Sequence, residues 1–297
     1  MSMTELHQRV GLAKILFLTD FSWASQWAVP FVRGLARDYG SSVTALHVAV
    51  PDALTSITPD SFAAAVETQE AAMLKKMARV EKEFEGIAAK ALVIAGPSVW
   101  SVVSAILESE KIDLICVGTH GRTGLPKMLM GSTAEEIYRR SLVPVITVGP
   151  AASTGENTTA FWKHILFASD FSVASLAAAP YAISLAEEND SQLTLMHVTA
   201  PAARKNAKQP GLSIAEAFHQ LRELFPGEAR LWCEPKYVVE HGEAAARILA
   251  VARETNADLI VLGVKAARDV LVATHLENSV AHTIVVHAAC PVLTVRS

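Results

Sequence analysis

The sequence predicts an α/β protein built as two copies of one domain, and three observations predict it. Short apolar runs rich in β-branched residues alternate with longer amphipathic stretches, the pattern of parallel strands joined by helices. Lys14-Ile-Leu-Phe-Leu-Thr-Asp20-Phe-Ser-Trp-Ala-Ser25 returns without a gap as His164-Ile-Leu-Phe-Ala-Ser-Asp170-Phe-Ser-Val-Ala-Ser175, at an offset of 150 residues. The 297 residues divide comfortably into two domains of about 140 to 150 residues, a size that buries most of its apolar surface.

In the first half the periodicity places strands at Lys14–Thr19, Ser42–Val48, Lys90–Ala95, Asp113–Gly118 and Pro144–Gly149. Helices are expected at Trp23–Tyr39, Asp60–Glu85, Val99–Glu110 and Thr133–Ser141. The second half repeats the order, with strands at His164–Ser169, Gln192–Val198, Pro235–Glu240, Asp258–Gly263 and Pro291–Arg296. Its helices are expected at Ala174–Asn189, Ile214–Leu224, Ala244–Thr255 and Ser279–His287. Three shorter echoes extend the repeat: Leu46-His47-Val48 with Met196-His197-Val198, Asp113-Leu-Ile115 with Asp258-Leu-Ile260, and Pro144-Val with Pro291-Val. Pro150 to Ala160 is small, polar and without a hydrophobic period, so it reads as a linker. The division is therefore 1–150, linker 151–161, and 162–297. Strands joined by right-handed helical crossovers make an open sheet whose ligand crevice lies at a reversal of strand order, here expected between the ends near Asp20 and Gly118.

An apolar content of 51% and a mean hydropathy of +0.29 are high for a soluble chain. The longest nearly apolar stretch, Leu176 to Leu185, is broken by Pro180 and Ser184 and falls short of the ~20 residues a membrane span needs. The hydrophobicity is assigned to buried strands and Ala-rich helices. Ile15-Leu-Phe-Leu18 is too short for a signal-peptide core, and Cys116, Cys233 and Cys290 show no disulfide or zinc spacing, so a cytoplasmic setting is expected. A net charge of −4 gives no electrostatic footprint for nucleic acid. His275, His282 and His287 share no helix face, so no protein metal site is expected; Cys116 and Cys290 read as small core hydrophobes. The Asp60–Glu85 stretch, carrying Lys75-Lys76, reads as a packed helix with a solvated face.

The chemistry-bearing residues gather after the fourth strand: Gly118-Thr-His120-Gly121-Arg122, then Gly131-Ser132-Thr133 opening a helix. Glycines let backbone approach a ligand and a helix N-terminus offers N–H groups to an anion, so a phosphate chain is the natural ligand. Arg122 adds a cation, and Ser132 and Thr133 add hydroxyl donors. The competing reading is a capping box from Ser132 to Glu135 that starts a helix with no ligand. Neither a Walker A sequence nor GxGxxG is present. Asp20 and Asp170 follow the first strand of each half, where a carboxylate could bind ribose hydroxyls or magnesium, or cap the helix. The second half keeps Asp170, Val198 and Gly263, has Ala266 at the second glycine, and reaches Asn278-Ser279 with two extra residues, which reads as a degenerate site.

Gly118-x2-Gly121-x9-Gly131-Ser132 resembles the nucleotide signature of the universal stress protein family, and with Thr19-Asp20, Leu46-His47-Val48 and Pro144-Val the resemblance covers nearly the whole chain. It implies two tandem Rossmann-like, adenine nucleotide alpha hydrolase-like domains, each an open five-stranded parallel sheet with helices on both faces. It also implies ATP in the first half, Thr19, Asp20 and Val48 around the adenosine, Gly96 beside the ribose, and Gly118 to Thr133, including His120, around ribose and phosphates. A packing of the halves as a pseudo-dimer through their fifth strands follows from the same resemblance, and dimerisation of the whole chain is compatible with it. No residues read as an activated nucleophile with its base, or as the base or arginine finger of phosphoryl transfer. The expected function is thus nucleotide-dependent sensing or regulation in stress response, with ATP, with or without magnesium, as ligand. A weak ATP hydrolase or phosphotransferase using Asp20, and a nucleotide-free interaction scaffold, stay open. Nothing in the chain names a regulatory protein partner.

Overall fold

Each β-branched run is a strand. In the computed structural model, which describes residues 10–50, 59–119, 130–152, 162–199, 212–225, 234–265 and 279–297, the first half comprises β1 (Lys14–Leu18), α1 (Trp23–Tyr39), β2 (Ser42–Ala49), α2 (Pro59–Glu83), β3 (Ala89–Ala95), α3 (Val99–Ser109), β4 (Leu114–Gly118), α4 (Ser132–Arg140) and β5 (Val145–Val148). The second half repeats the series as β6 (His164–Ala168), α5 (Val173–Glu188), β7 (Gln192–Thr199), α6 (Ile214–Leu224), β8 (Lys236–His241), α7 (Ala244–Glu254), β9 (Leu259–Val264), α8 (Val280–His287) and β10 (Val292–Arg296).

The ten strands form one sheet in the order β3-β2-β1-β4-β5-β10-β9-β6-β7-β8. Every pairing is parallel except β5 with β10. At that antiparallel seam Thr147 Oγ1 donates to Val292 O and Thr294 Oγ1 donates to Val145 O, both at 3.2 Å. The two threonines are buried, and this reciprocal exchange satisfies hydroxyls that would otherwise be costly inside an apolar sheet. One apolar layer packs α1, α2, α5 and α6 on one face of the sheet; a second packs α3, α4, α7 and α8 on the other. Both layers run through both halves.

The echoes have local causes. Asp113 Oδ2 accepts from Lys14 N at 2.9 Å, and Asp258 Oδ2 accepts from Lys163 N and His164 N at 2.8 and 3.0 Å, so each Asp-Leu-Ile run secures the start of the neighbouring first strand. Pro30 and Pro180 stand at equivalent positions inside α1 and α5.

Strand order reverses between β1 and β4, and likewise between β6 and β9, which opens a crevice beyond their carboxyl ends. What lets α1 start there is a missing side chain: a Cβ on Gly118 would lie 2.7 Å from the Ala24 carbonyl oxygen. On Gly263 it would lie 2.3 Å from the Ala174–Ser175 peptide. Both glycines are therefore packing requirements of the repeat. Gly118→Ala and Gly263→Ala should each cost about 1–3 kcal/mol by overpacking, with Gly263→Ala the worse. Thermal unfolding against Gly11→Ala, a site with no atom within 4 Å of the added carbon, checks this; equal melting of all three would refute the close approach.

Candidate functional site

Asp-Phe-Ser after the first strand of each half builds a strained turn. Phe21 and Phe171 adopt left-handed φ angles of 63° and 58°, a conformation that costs a bulky residue on the order of 1–3 kcal/mol. Three interactions offset it. Asp20 Oδ1 accepts from Ser22 N at 2.9 Å and Ser22 Oγ at 2.5 Å; Phe21 N donates to Thr19 Oγ1 at 3.1 Å; and the Phe21 ring lies 4.2 Å from the His47 ring. The second half repeats this with Asp170, Ser169 and His197. His47 Nδ1 lies 2.8 Å from Thr19 O, and since a carbonyl only accepts, Nδ1 carries the proton. Asp20 is therefore not the helix cap: Ser22 caps α1 by accepting from Ser25 N, and Asp20 holds Ser22 in place.

Above this turn lies a cleft of about 490 Å³, inside the roughly 300–1,000 Å³ range of small-molecule sites. Leu18, Leu46, Val99, Val117 and Met130 supply apolar wall; Thr19, Asp20, Ser25 and His47 supply polar groups; Val48 and Gly118 border it. Gly131, Ser132, Thr133, Ala134 and Glu135 close the far side with the first turn of α4.

The capping box of the competing reading is absent. Gly131, not Ser132, is the N-cap, and it brings no side-chain hydrogen bond to the orphan N–H groups of α4. Its φ of −64° is open to any residue, so the backbone does not demand glycine there. Glu135 turns away from a capping role to pair with Arg139 at 2.6 Å, and lies 3.8 Å from His282 Nδ1 on α8. The result is a helix N-terminus facing a cleft without a cap of its own, where backbone N–H groups and the helix dipole favour an anion.

In the second half, Ser279 caps α8 by accepting from His282 N at 3.2 Å. The matching cleft measures about 140 Å³, bordered by Ala244 and Ile248 of α7 and lined by Val280 and Ala281 where the first half has Ser132 and Thr133. Asp170 is engaged there: Ser172 N and Ser175 Oγ donate to it at 3.0 and 2.5 Å, and Lys265 Nζ lies 3.4 Å away. Burial pushes its carboxyl upward, but the Ser172 and Ser175 hydrogen bonds and the Lys265 charge outweigh burial and hold it down at about 2.

Of the residues singled out by sequence, Thr19, Asp20, Val48, Gly118, Gly131, Ser132 and Thr133 meet in the first cleft. Gly96 is not among its lining residues; its glycine character makes room for Val102, whose Cγ2 would stand 2.3 Å from an added Cβ. His120, Gly121 and Arg122 lie outside the described residues, as do Ala266 and Asn278. Asp170, Val198 and Gly263 meet in the second cleft, and Ser279 serves as a cap instead. Sequence reasoning missed Ser25, His47, Val99 and Met130; only the Leu-His-Val echo pointed toward one of them. Among the described residues no group of three or more His, Cys, Asp or Glu is placed to hold a metal ion, and no helix is long and apolar enough to cross a membrane. Burial pushes the Cys116 thiol far up and the Cys290 thiol up to about 12, so neither is a nucleophile near neutral pH.

The sequence pattern of the universal stress protein family matches residues 12–149 and 162–296. Universal stress protein MJ0577 of Methanocaldococcus jannaschii is 29% identical over 154 residues, covering 46% of this chain and 93% of that protein. Universal stress protein MJ0531 of the same organism is 29% identical over 141 residues, covering 46% of this chain and 81% of that protein. The crystal structure of a universal stress protein from Archaeoglobus fulgidus superposes with a TM-score of 0.70, covering 95% of this chain and 98% of that one at 22% identity, a likeness of fold.

The depressed Asp170 carboxyl sets a pH dependence. A folded-state value near 2 against an ordinary 3.8 gives stabilisation fully present above pH ~4 and lost as pH falls toward 2. Because the side chain is 57% exposed, solvent screening limits it to about 1 kcal/mol or less. The stability gap between wild type and Asp170→Asn in urea unfolding should hold steady at neutral pH and close toward pH 2. A gap that ignores pH would show that Asp170 acts through packing alone.

Proposed function

Because the chain belongs to the universal stress protein family, we propose that its first half binds ATP and acts as a nucleotide-dependent sensor or regulator in stress response, working through binding and not turnover. The observation that carries this reading is the start of α4: a helix whose cap residue has no side chain, aimed into the larger of two equivalent clefts. The second half, with a serine cap and about 140 Å³, serves as its internal control. In this reading the first turn of α4 at Gly131, Ser132 and Thr133 takes the phosphates. Thr19, Asp20 and Val48 surround the adenosine, Gly118 stands by the ribose, and His120, Gly121 and Arg122 complete the loop; Gly96, which packs against Val102 outside the cleft, takes no part. Magnesium would accompany the phosphates. The second half is the scaffold.

Sensing requires that the ligand favour one arrangement over another. Phosphate charge at the N-terminus of α4 would act on Glu135, whose carboxylate sits between Arg139 and His282 of the other half. A turnover reading would require an activity that disappears in Asp20→Asn; the hydrogen bonds from Ser22 to Asp20 Oδ1 already account for that residue in the turn.

Calorimetric titration with magnesium and ATP should show one site per chain in wild type and loss of binding in Gly131→Trp. Binding by both, or by neither, would reject the proposal. Gly131→Ser should restore a cap, stabilising the nucleotide-free protein by a few tenths of a kcal/mol while weakening ATP severalfold. Ultraviolet absorbance of the supernatant after denaturation should reveal co-purified nucleotide, which a nucleotide-free scaffold would lack.

A further inference from the structure

The opposite face of β1 carries a second cavity, of about 450 Å³, between α1 and α2. Its apolar lining comes from Phe17, Phe21, Val29, Pro30 and Val80. Three cations also face it: Arg33 from α1, Lys76 and Arg79 from α2. Against them stands one carboxylate, Glu83, 3.9 Å from Arg33. Among the described residues neither Lys76 nor Arg79 makes an ion pair; the Lys76 ammonium lies 5.7 Å from the Phe21 ring centroid.

The repeat shows that this lining is not a demand of the fold. At the offset of 150, Gln26 and Arg33 of α1 correspond to Leu176 and Ile183 of α5, and both of these pack against the apolar core. The two phenylalanines, by contrast, recur as Phe167 and Phe171. One half thus places aliphatic side chains at these positions, while the other lines the cavity with three cations and one carboxylate among the described residues.

An apolar floor with cations on the wall fits a ligand with an apolar body and one anionic head, and the volume falls in the range of small-molecule pockets. We propose that the α1–α2 cavity binds an amphipathic carboxylate, its acyl or aromatic body on Phe21 and Val80 and its head at Lys76 and Arg79. The site does not depend on the nucleotide reading, since it lies on the other side of β1. The two clefts share only the hydroxyl pair Thr19 and Ser25, whose side-chain oxygens are 3.0 Å apart.

Titration of the full chain with decanoate, and with decanol as its neutral counterpart, tests this by calorimetry. Wild type should bind one decanoate per chain, more tightly than decanol. Lys76→Glu with Arg79→Glu should weaken decanoate by about tenfold, the scale of two exposed charge contacts, and erase its advantage over decanol. Gln26→Leu with Arg33→Ile, which copies the second half, should fold with an unchanged thermal midpoint or a higher one and bind neither. Decanoate affinity indifferent to both pairs of substitutions would overturn the site. Displacement of decanoate by excess ATP would also overturn it, by assigning the probe to the nucleotide cleft.

Discussion

The first turn of α1 rests on the end of β4 backbone to backbone, and the architecture of the site follows from that contact. A Cβ on Gly118 would meet the Ala24 carbonyl, and the same conflict arises between Gly263 and Ala174 in the other half. With the helix this close, the chain has only four residues, Thr19 to Ser22, between the last buried position of β1 and the first turn of α1, so it turns sharply. Phe21 pays for the sharpness with a left-handed φ, and Asp20, Thr19 and His47 hold it there. The crevice between β1 and β4 is thus bounded by groups with little freedom to move, a property that favours recognition because little ordering remains for a ligand to impose.

Both halves share this frame, and they differ in what is hung on it. Where the first half leaves the N-terminus of its last helix uncapped, the second supplies Ser279; where the first leaves Gln26 and Arg33 on α1, the second buries Leu176 and Ile183. Each change moves the second half toward local self-sufficiency: a satisfied cap, aliphatic side chains packed on the core, an Asp170 carboxylate paired with Lys265. A domain selected for its fold alone would go that way, because capped helices and filled cores are the more stable choices. Keeping the opposite choices in the first half carries a stability cost with no structural return.

Much of this was legible in the sequence. Periodicity gave α1 and α6 their bounds, Trp23–Tyr39 and Ile214–Leu224, because each has a sharp cap and a clear break. The repeat announced a common frame, but Gly118 and Gly263, read there as glycines of a ligand site, are the close contact with α1 and α5. Reading failed where one residue decides between two geometries. Ser132-Thr-Ala-Glu135 satisfies the capping-box pattern, but the helix begins one residue earlier in register, at the Gly131 cap, and this depends on the chain's direction of approach. Asp20 and Ser22 are both good caps by composition; the left-handed Phe21 between them selects Ser22. His47 meets Thr19 across 28 residues of sequence, and Lys76 and Arg79 look like a solvated face until α1 is laid beside them.

The seam gives the first cleft a route to the rest of the chain. α4 begins in the cleft and ends against β10, where Arg296 NH1 donates to Arg140 O at 2.6 Å. Along its length Glu135 faces His282, and the buried Tyr138 hydroxyl, whose pKa burial raises, accepts from Arg139 Nε at 3.4 Å. Contact alone transmits nothing; a ligand shifts an equilibrium only by its difference in affinity between two arrangements. Glu135 supplies such a difference in kind. Its carboxylate is a repulsive neighbour for an anion at the α4 N-terminus and an attractive one for Arg139. An anion held by Ser132 and Thr133 would therefore favour the arrangement in which Glu135 stays with Arg139 and faces His282 of the second half.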